Sequence, residues 1–256
     1  VVNFFIFIAE EIRQLMSKIG IAKLEDLIGR VDLLEQRNIQ LTKTKKVDLS
    51  TLLKVIKDDS NQSWLIHSNN AHSNGLVLED SLISDDNLMQ AINYHGEVSK
   101  ELAIINTDRS VCARIAGEIA QIHGNNGFSG KLNLTFKGSA GQSFGAFILK
   151  GMNILLIGEA NDYVGKGMNG GQITLIPKIL NQYSGNQVIL GNTCLYGSTG
   201  GELYALGRAG ERFAVRNSGA KAVIEGSGDH CCEYMTGGII VVLGSTGRNV
   251  AAGMTG

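Results

Sequence analysis

Proline is nearly absent from this chain, with one residue, Pro177, in 256. An excess of one charge is missing too: 23 basic side chains face 24 acidic ones, for a formal net charge of −1. Without a basic field, charge gives nothing to hold a nucleic acid or an anionic membrane surface. No apolar run approaches the roughly 18 residues that a bilayer span needs. Cysteine is sparse, and Cys112, Cys194, Cys231 and Cys232 include two adjacent residues and follow no secretory signal. They form no disulfide framework, so a reducing compartment is the simpler setting.

What is abundant is glycine, at 33 of 256 residues, against a usual share of about 7%. Glycine without proline does not describe a disordered linker; it implies many tight turns in an ordered, strand-rich body. With 43% apolar residues, the chain can bury a core as one large domain or two smaller ones. It starts at Val1 and stops at Gly256 inside a motif. It therefore reads as a fragment, and the lack of a targeting peptide says nothing about location.

The pattern changes near Gly124. Before it, Phe5, Ile8, Ile12, Leu15 and Ile19 recur at helical steps, with Gly20 placed to close the last turn. A second short helix is expected from Leu24 to Ile28, stopping at Gly29. Residues 57–75 are polar and read as a loop that Trp64 and Ile66 could pin. Residues 85–94 read as a helix and 98–105 as a strand. Ser110 is placed to cap a helix carrying Val111, Ile115, Ile119 and Ile122 and ended by Gly124.

Beyond Gly124 a short apolar strand repeats at 131–136, 152–157, 172–176, 202–206, 220–225 and 239–243, closed by Gly138, Gly158, Pro177, Gly207, Gly226 and Gly244. Successive closing residues are 20, 19, 30, 19 and 18 positions apart, and the long interval holds a polar insertion at 178–187. A fixed period near 19 is one rung of a solenoid. At ~3.3 Å per residue a rung must turn at least twice, which predicts a right-handed parallel β-helix with glycine corners. Ile154, Leu156, Ile173, Leu175, Leu203, Ile240 and Val242 alternate along their strands and point inward. The expected domains are a helical and α+β connecting segment, 1–124, and a β-helix, 125–256, truncated at its end.

Several motifs invite a chemical reading. The segment from Gly165 to Gly170 fits G-x-G-x-x-G, but a strand follows where a dinucleotide site needs a helix. Gly141 to Gly145 fits the G-x-S-x-G elbow of hydrolases, with Ser143 as nucleophile and Asp162 and His230 in the right order; Gly151 comes too soon for the helix that elbow requires. Cys194, His230, Cys231 and Cys232 lack a C-x₂-C pair, and adjacent residues in a strand face opposite ways. Buried rung cysteines are the plainer reading, and Asp229 and Glu233 read as corner and surface residues. Arg208, Glu211, Arg212 and Arg216 read as a solvated face or an interdomain ion pair. His67, His72, His95 and His123 have no ligand spacing. No catalytic, cofactor-binding or metal-ligating residue is assigned.

The words of the repeat carry a resemblance. GSAGQSFG at 138–145, NDYVGKGM at 161–168, GNTCLYG at 191–197, GERFAVRNS at 210–218, GDHCCEYMTGG at 228–238 and GRNVAAGMTG at 247–256 resemble the C-terminal domain of glutamate synthase large chains. Val1 to Glu11, Leu27 to Arg30 and Asp32 to Leu34 resemble the segments that follow the flavin domain there. The wording is closer to the ferredoxin-dependent enzymes of plastids and cyanobacteria than to the pyridine-nucleotide forms.

The resemblance implies an enzyme that hydrolyses glutamine in an amidotransferase domain and channels ammonia to a flavin barrel. There, 2-oxoglutarate is reductively aminated, giving glutamate biosynthesis and nitrogen assimilation driven by reduced ferredoxin. FMN and a 3Fe-4S cluster belong to that plan, with their ligands upstream of Val1. This segment would bind no cofactor and would serve as scaffold for the amidotransferase and flavin domains of one polypeptide, in a plastid stroma or a cyanobacterial cytoplasm. A stand-alone β-helical assembly subunit of another redox complex is the alternative.

Overall fold

The computed structural model describes residues 1–39, 41, 43–54, 75–180 and 184–256. The chain divides into two compact units, Val1–Ser73 and Asn74–Gly256. In the first, helix α1 (Val2–Lys18) forms where the helical spacing predicts it. It ends as expected at Gly20, with φ +75°. The N–H of Gly20 donates to Ser17 O and that of Ile21 to Met16 O, the paired bonds of a Schellman cap. Phe5, Ile12, Leu15 and Ile19 are nevertheless exposed, and Met16 is the buried residue of the helix. The second expected helix is a single 3-10 turn, Leu24–Leu27. The polar stretch 57–74, with Trp64 and Ile66, lies outside the described residues.

The second unit opens with helices α2 (Leu78–Ile83) and α3 (Asp86–Asn93), then strand β1 (Glu97–Ile104) and helix α4 (Ala113–His123). Asp85 caps α3, its carboxylate accepting the Leu88 N–H at 2.9 Å. The cap expected of Ser110 on α4 is not made. Cys112 holds the N-cap position in a left-handed conformation, φ 77°. The carboxylate of Glu79, from α2, accepts the Arg114 N–H instead, at 3.1 Å. A non-local acid thus answers the orphan donors of the helix start.

Glu79 is 4% exposed, and burial pushes its carboxyl pKa up from 4.5 against the pull of the backbone N–H groups. A carboxyl that holds its proton more tightly when folded stabilises most below its unfolded value, and that contribution is lost as pH rises through the folded value. Glu79→Gln keeps an acceptor and removes the buried charge. It is expected to leave stability at neutral pH unchanged or slightly higher and to steepen the fall of stability toward acid, because the proton uptake that favours the fold is lost. Glu79→Ala strands the helix N–H groups and should cost about 1–3 kcal/mol. Equal losses in both variants would contradict this.

Strands β2 (Lys131–Ala140), β3 (Met152–Ala160), β4 (Asn169–Ile176), β5 (Val188–Leu190), β6 (Gly200–Ala209), β7 (Ser218–Gly226) and β8 (Gly237–Val242) follow. All join one eight-stranded parallel sheet in the order β1-β2-β3-β4-β6-β7-β8. The sequence period reappears as register. Leu132 pairs with Met152, Ile154 with Ile173, Ile173 with Leu203, Leu203 with Ala222 and Ala222 with Ile240. The 178–187 insertion breaks one repeat without shifting its neighbours. β4 pairs β3 and β6 through its apolar residues, and β5 completes the place beyond the insertion, with Ala160 opposite Leu190 and Leu190 opposite Ala209.

Alternation sets the core. Leu134, Ile154, Ile173, Leu203 and Ala222 form one buried column, and Phe136, Leu156, Leu175, Ala205 and Ile224 another. Burying a large apolar side chain is worth about 1.5–3 kcal/mol, realised only when the next strand covers it. Ile240 and Val242 on β8 are partly buried and pack against this core.

Two expectations change. The sheet starts earlier than the repeat did, because β1 pairs in register with β2 from Glu97 opposite Lys131 to Ile104 opposite Gly138. Nor do the glycines all close strands: β2, β3 and β6 run through Gly138, Gly158 and Gly207. Gly138 and Gly158 face each other at φ +138° and +151°, and a Cβ on Gly158 would lie 1.8 Å from Gly138 O. They are there for backbone that passes too close for a side chain.

Candidate functional site

Ser143, residues 165–168, Cys194, His230, Cys231 and Cys232 fall in the turns between strands, and those turns share one geometry. Non-glycine or glycine residues at positive φ recur at every second position: Ser143, Gly145 and Phe147, then Tyr163, Gly165 and Gly167, then Thr193, Leu195 and Gly197. Arg212, Ala214 and Arg216 continue the series, then His230, Cys232 and Tyr234, then Asn249, Ala251 and Gly253. The left-handed region costs an L-residue roughly 1–2 kcal/mol, and thirteen of these eighteen positions are not glycine. Something must hold them.

Hydrogen bonds between successive turns do. The Ser143 N–H donates to Asp162 O at 2.8 Å and the Phe147 N–H to Lys166 O at 2.9 Å; Gly165 donates back to Phe144 O and Gly167 forward to Tyr196 O, both at 2.9 Å. The same forward–back–forward pattern links the turns onward to Ala252. Side chains add a second ladder. Asp162 Oδ1 accepts the Asn192 N–H at 2.7 Å, Asn192 Oδ1 the Glu211 N–H at 2.8 Å, and Asp229 Oδ1 the Arg248 N–H at 2.7 Å. The residues before those donors, Gly191, Gly210 and Gly247, approach the accepting oxygens so closely that a Cβ would sit 2.3–2.5 Å away. The Arg248 N–H and guanidinium hold the Asp229 carboxyl below the usual carboxylate range.

Alternating positive and negative φ can aim backbone N–H groups at an anion, which makes the Gly165 to Gly170 segment the natural place to seek a phosphate. Its N–H groups are already taken: Gly165, Lys166, Gly167 and Asn169 donate to Phe144, Tyr163, Tyr196 and Ile148 carbonyls. Strand β4 follows, and Lys166 Nζ sits 5.4 Å from the centre of the Tyr163 ring. These donors do not fit an FMN phosphate.

The hydrolase constellation is not brought together either. Ser143 and His230 occupy equivalent positions four turns apart, about 19 Å at ~4.8 Å per step. Asp162 accepts the Asn192 N–H, and His230 Nδ1 meets Glu233 Oε1 at 2.6 Å.

The cysteines line the interior. Phe144, Val164, Cys194, Phe213 and Cys231 hold equivalent positions in successive turns and are fully buried. Burial pushes the Cys194 thiol up to about 12. Cys231 and Cys232, read as buried rung cysteines, would face apart if they were neighbours in a strand. They lie in a turn, with Cys232 at φ 60°, and their sulfurs are 3.6 Å apart. No three His, Cys, Asp or Glu side chains among the described residues converge to hold a metal ion, so these donors do not fit an iron–sulfur cluster.

Of the arginines, Arg208 donates to Ser245 Oγ at 2.8 Å and Arg216 lies over the Tyr234 ring; neither they nor Arg212 form an ion pair among the described residues. His95 and His123 pack ring on ring, 4.2 Å between centres, with Phe128 beside both. Their spacing in sequence carried no sign of this; His67 and His72 lie outside the described residues. Sequence reasoning also missed a trough of ≈ 380 Å³ on the sheet, where Asn133, Asn153 and Gln172 align across β2, β3 and β4. Asn153 Nδ2 donates to Asn133 Oδ1 at 3.1 Å. Register, not spacing within a motif, creates it.

The model of the GXGXG motif family matches residues 79–256. The chain is 58% identical over 258 aligned residues to ferredoxin-dependent glutamate synthase 2 of Synechocystis sp. and 57% identical over 256 to its chloroplastic counterpart in Arabidopsis thaliana. A ferredoxin-dependent glutamate synthase of Antithamnion sp. is 56% identical over 257. Each match takes in all of this chain but 16–17% of the relative.

Proposed function

Because the chain belongs to the GXGXG motif family, we propose that its stacked turns are the scaffold of a ferredoxin-dependent glutamate synthase, wound as a right-handed parallel β-helix. The protein converts glutamine and 2-oxoglutarate into two glutamates with electrons from reduced ferredoxin. It works in a plastid stroma or a cyanobacterial cytoplasm. This segment docks the amidotransferase and flavin domains of the same polypeptide and lends no group to catalysis. FMN and the 3Fe-4S cluster are held elsewhere in that polypeptide.

The observation that carries this reading is the closure of the turns. The N–H groups of Ser143, Gly165, Gly167 and Asn169 are spent on neighbouring turns, and the interior thiols are sealed in the core. A second ladder of turns in phase with the strand ladder supports a coil over an open sheet, since each repeat then pairs twice with its neighbour.

Purified alone, the chain is expected neither to bind FMN nor to consume 2-oxoglutarate. In the ferredoxin-driven enzyme, Ser143→Ala and Lys166→Ala should each leave kcat and KM within about twofold, against the 10²-fold or larger losses expected of a catalytic group. A hundredfold fall in kcat for either variant, with folding intact, would overturn the reading.

A further inference from the structure

Four thiols are described and two of them, Cys231 and Cys232, are placed to react with each other. Their sulfurs are 3.6 Å apart in a turn whose second residue is held at φ 60° by the Cys232 N–H bond to Phe213 O, 2.7 Å. The turn is fixed from the other side by the Ala251 N–H donating to Cys231 O at 2.7 Å. Nearby, the hydroxyl of Ser227, itself fully buried, has no hydrogen-bond partner of ordinary geometry. It lies close enough to the Cys231 sulfur to favour its thiolate.

The four cysteines differ in what their surroundings do. Cys112 and Cys194 sit singly in apolar core, where burial pushes both thiols up. The two sulfurs share a hydrogen bond in which either can donate, and that bond pulls the Cys231 thiol down and pushes Cys232 up. The thiolate is the nucleophile and the metal ligand, so one member of the pair is the attacker and the other is the resolving thiol beside it. Cys231 is fully buried and Cys232 is 7% exposed, so the pair is closed to bulky oxidants.

We propose that Cys231 and Cys232 form a reversible vicinal disulfide when hydrogen peroxide reaches them, a two-electron modification site separate from the enzyme's cofactors. The Cys231 thiolate attacks one peroxide oxygen, the O–O bond breaks, and a sulfenic acid and hydroxide result. Cys232 sulfur then attacks the sulfenic sulfur, expelling its oxygen as water after proton transfer. The two thiols lose two electrons and two protons, and the peroxide is reduced to two waters. Adjacent Cα atoms are ~3.8 Å apart, short of the ~4.4–6.8 Å that disulfides prefer. The bond is therefore strained and readily reopened by a thiol, which makes it a switchable link and not a structural staple.

The test uses the native full chain, exposed to hydrogen peroxide at neutral pH and then denatured in excess iodoacetamide. Trypsin leaves Cys231 and Cys232 together on residues 222–248, with Cys112 and Cys194 on other peptides. The expected product is a 222–248 peptide lighter by two hydrogens and unalkylated, restored by glutathione, while Cys112 and Cys194 remain alkylated. In Cys232→Ser the resolving thiol is gone, and dimedone should trap a sulfenic acid on Cys231; Cys231→Ser should trap at least tenfold less. Three results would overturn the proposal: all four thiols oxidising at one rate, a stable sulfinic acid on Cys231 in the unsubstituted chain, or a pair that stays alkylated after peroxide exposure. If the variants misfold, the peptide map of the unsubstituted chain decides alone.

Discussion

Gly158→Ala is expected to lower the stability of the second unit by about 3 kcal/mol or more, or to prevent it from folding. Two costs add. At φ +151° an L side chain is strained, and the new Cβ would lie 1.8 Å from Gly138 O, a backbone atom that cannot swing aside. Gly138 itself is caught in the same way between Gly158 and Ile104 O, so the sheet cannot relax toward β1 without a second clash. Gly197→Ala is the matched control. It also has positive φ, +63°, but an added Cβ there meets nothing within 4 Å, so its cost should be the conformational one, about 1 kcal/mol. Denaturant midpoints of the two variants measure the difference. Equal midpoints would mean that the strands do not pass each other as closely as described.

Phe213→Ala should cost about 3–5 kcal/mol. The ring is fully buried between Cys194 and Cys231 in the interior column, where the turns above and below are tied to its own by the Ala214 and Cys232 N–H bonds. The hole left by truncation cannot be closed by one side chain moving, because those backbone bonds fix the spacing. Phe147, 53% exposed at a neighbouring column, loses little by the same change, and Phe147→Ala should cost about 1 kcal/mol or less. Thermal unfolding of both variants is the check. A comparable loss at Phe147 would move the apolar core to the outer side of the turns.

How much of this could be read from residues alone depended on the range of the interaction. The strands were legible because Leu134, Ile154 and Ile173 recur at steps near 19, Leu203 follows across the insertion, and the register of the sheet pairs them in that order. The 178–187 insertion was legible for the same reason, as a break in the period. β1 was seen as a strand but not as part of the repeat, since helix α4 stands between it and β2 and hides the period. The Glu79 cap was illegible: its partner Arg114 is 35 residues away, and nothing local marks it. The turns were misjudged in kind. Cys231 and Cys232 were judged by the geometry of a strand, and no local rule anticipates thirteen non-glycine residues at positive φ. The ladder between turns overrides the local preference, as long-range bonds do when they are numerous.

Amide hydrogen exchange across the turns of the full chain reaches the central claim most directly. If the N–H groups are spent on neighbouring turns, Gly165, Gly167, Leu195, Ala214 and Cys232 should be protected as strongly as residues of β3 and β6, with or without FMN or phosphate. Fast exchange at Gly165 and Gly167 that slows only when one of those ligands is added would contradict the account, because the segment would then be a binding loop.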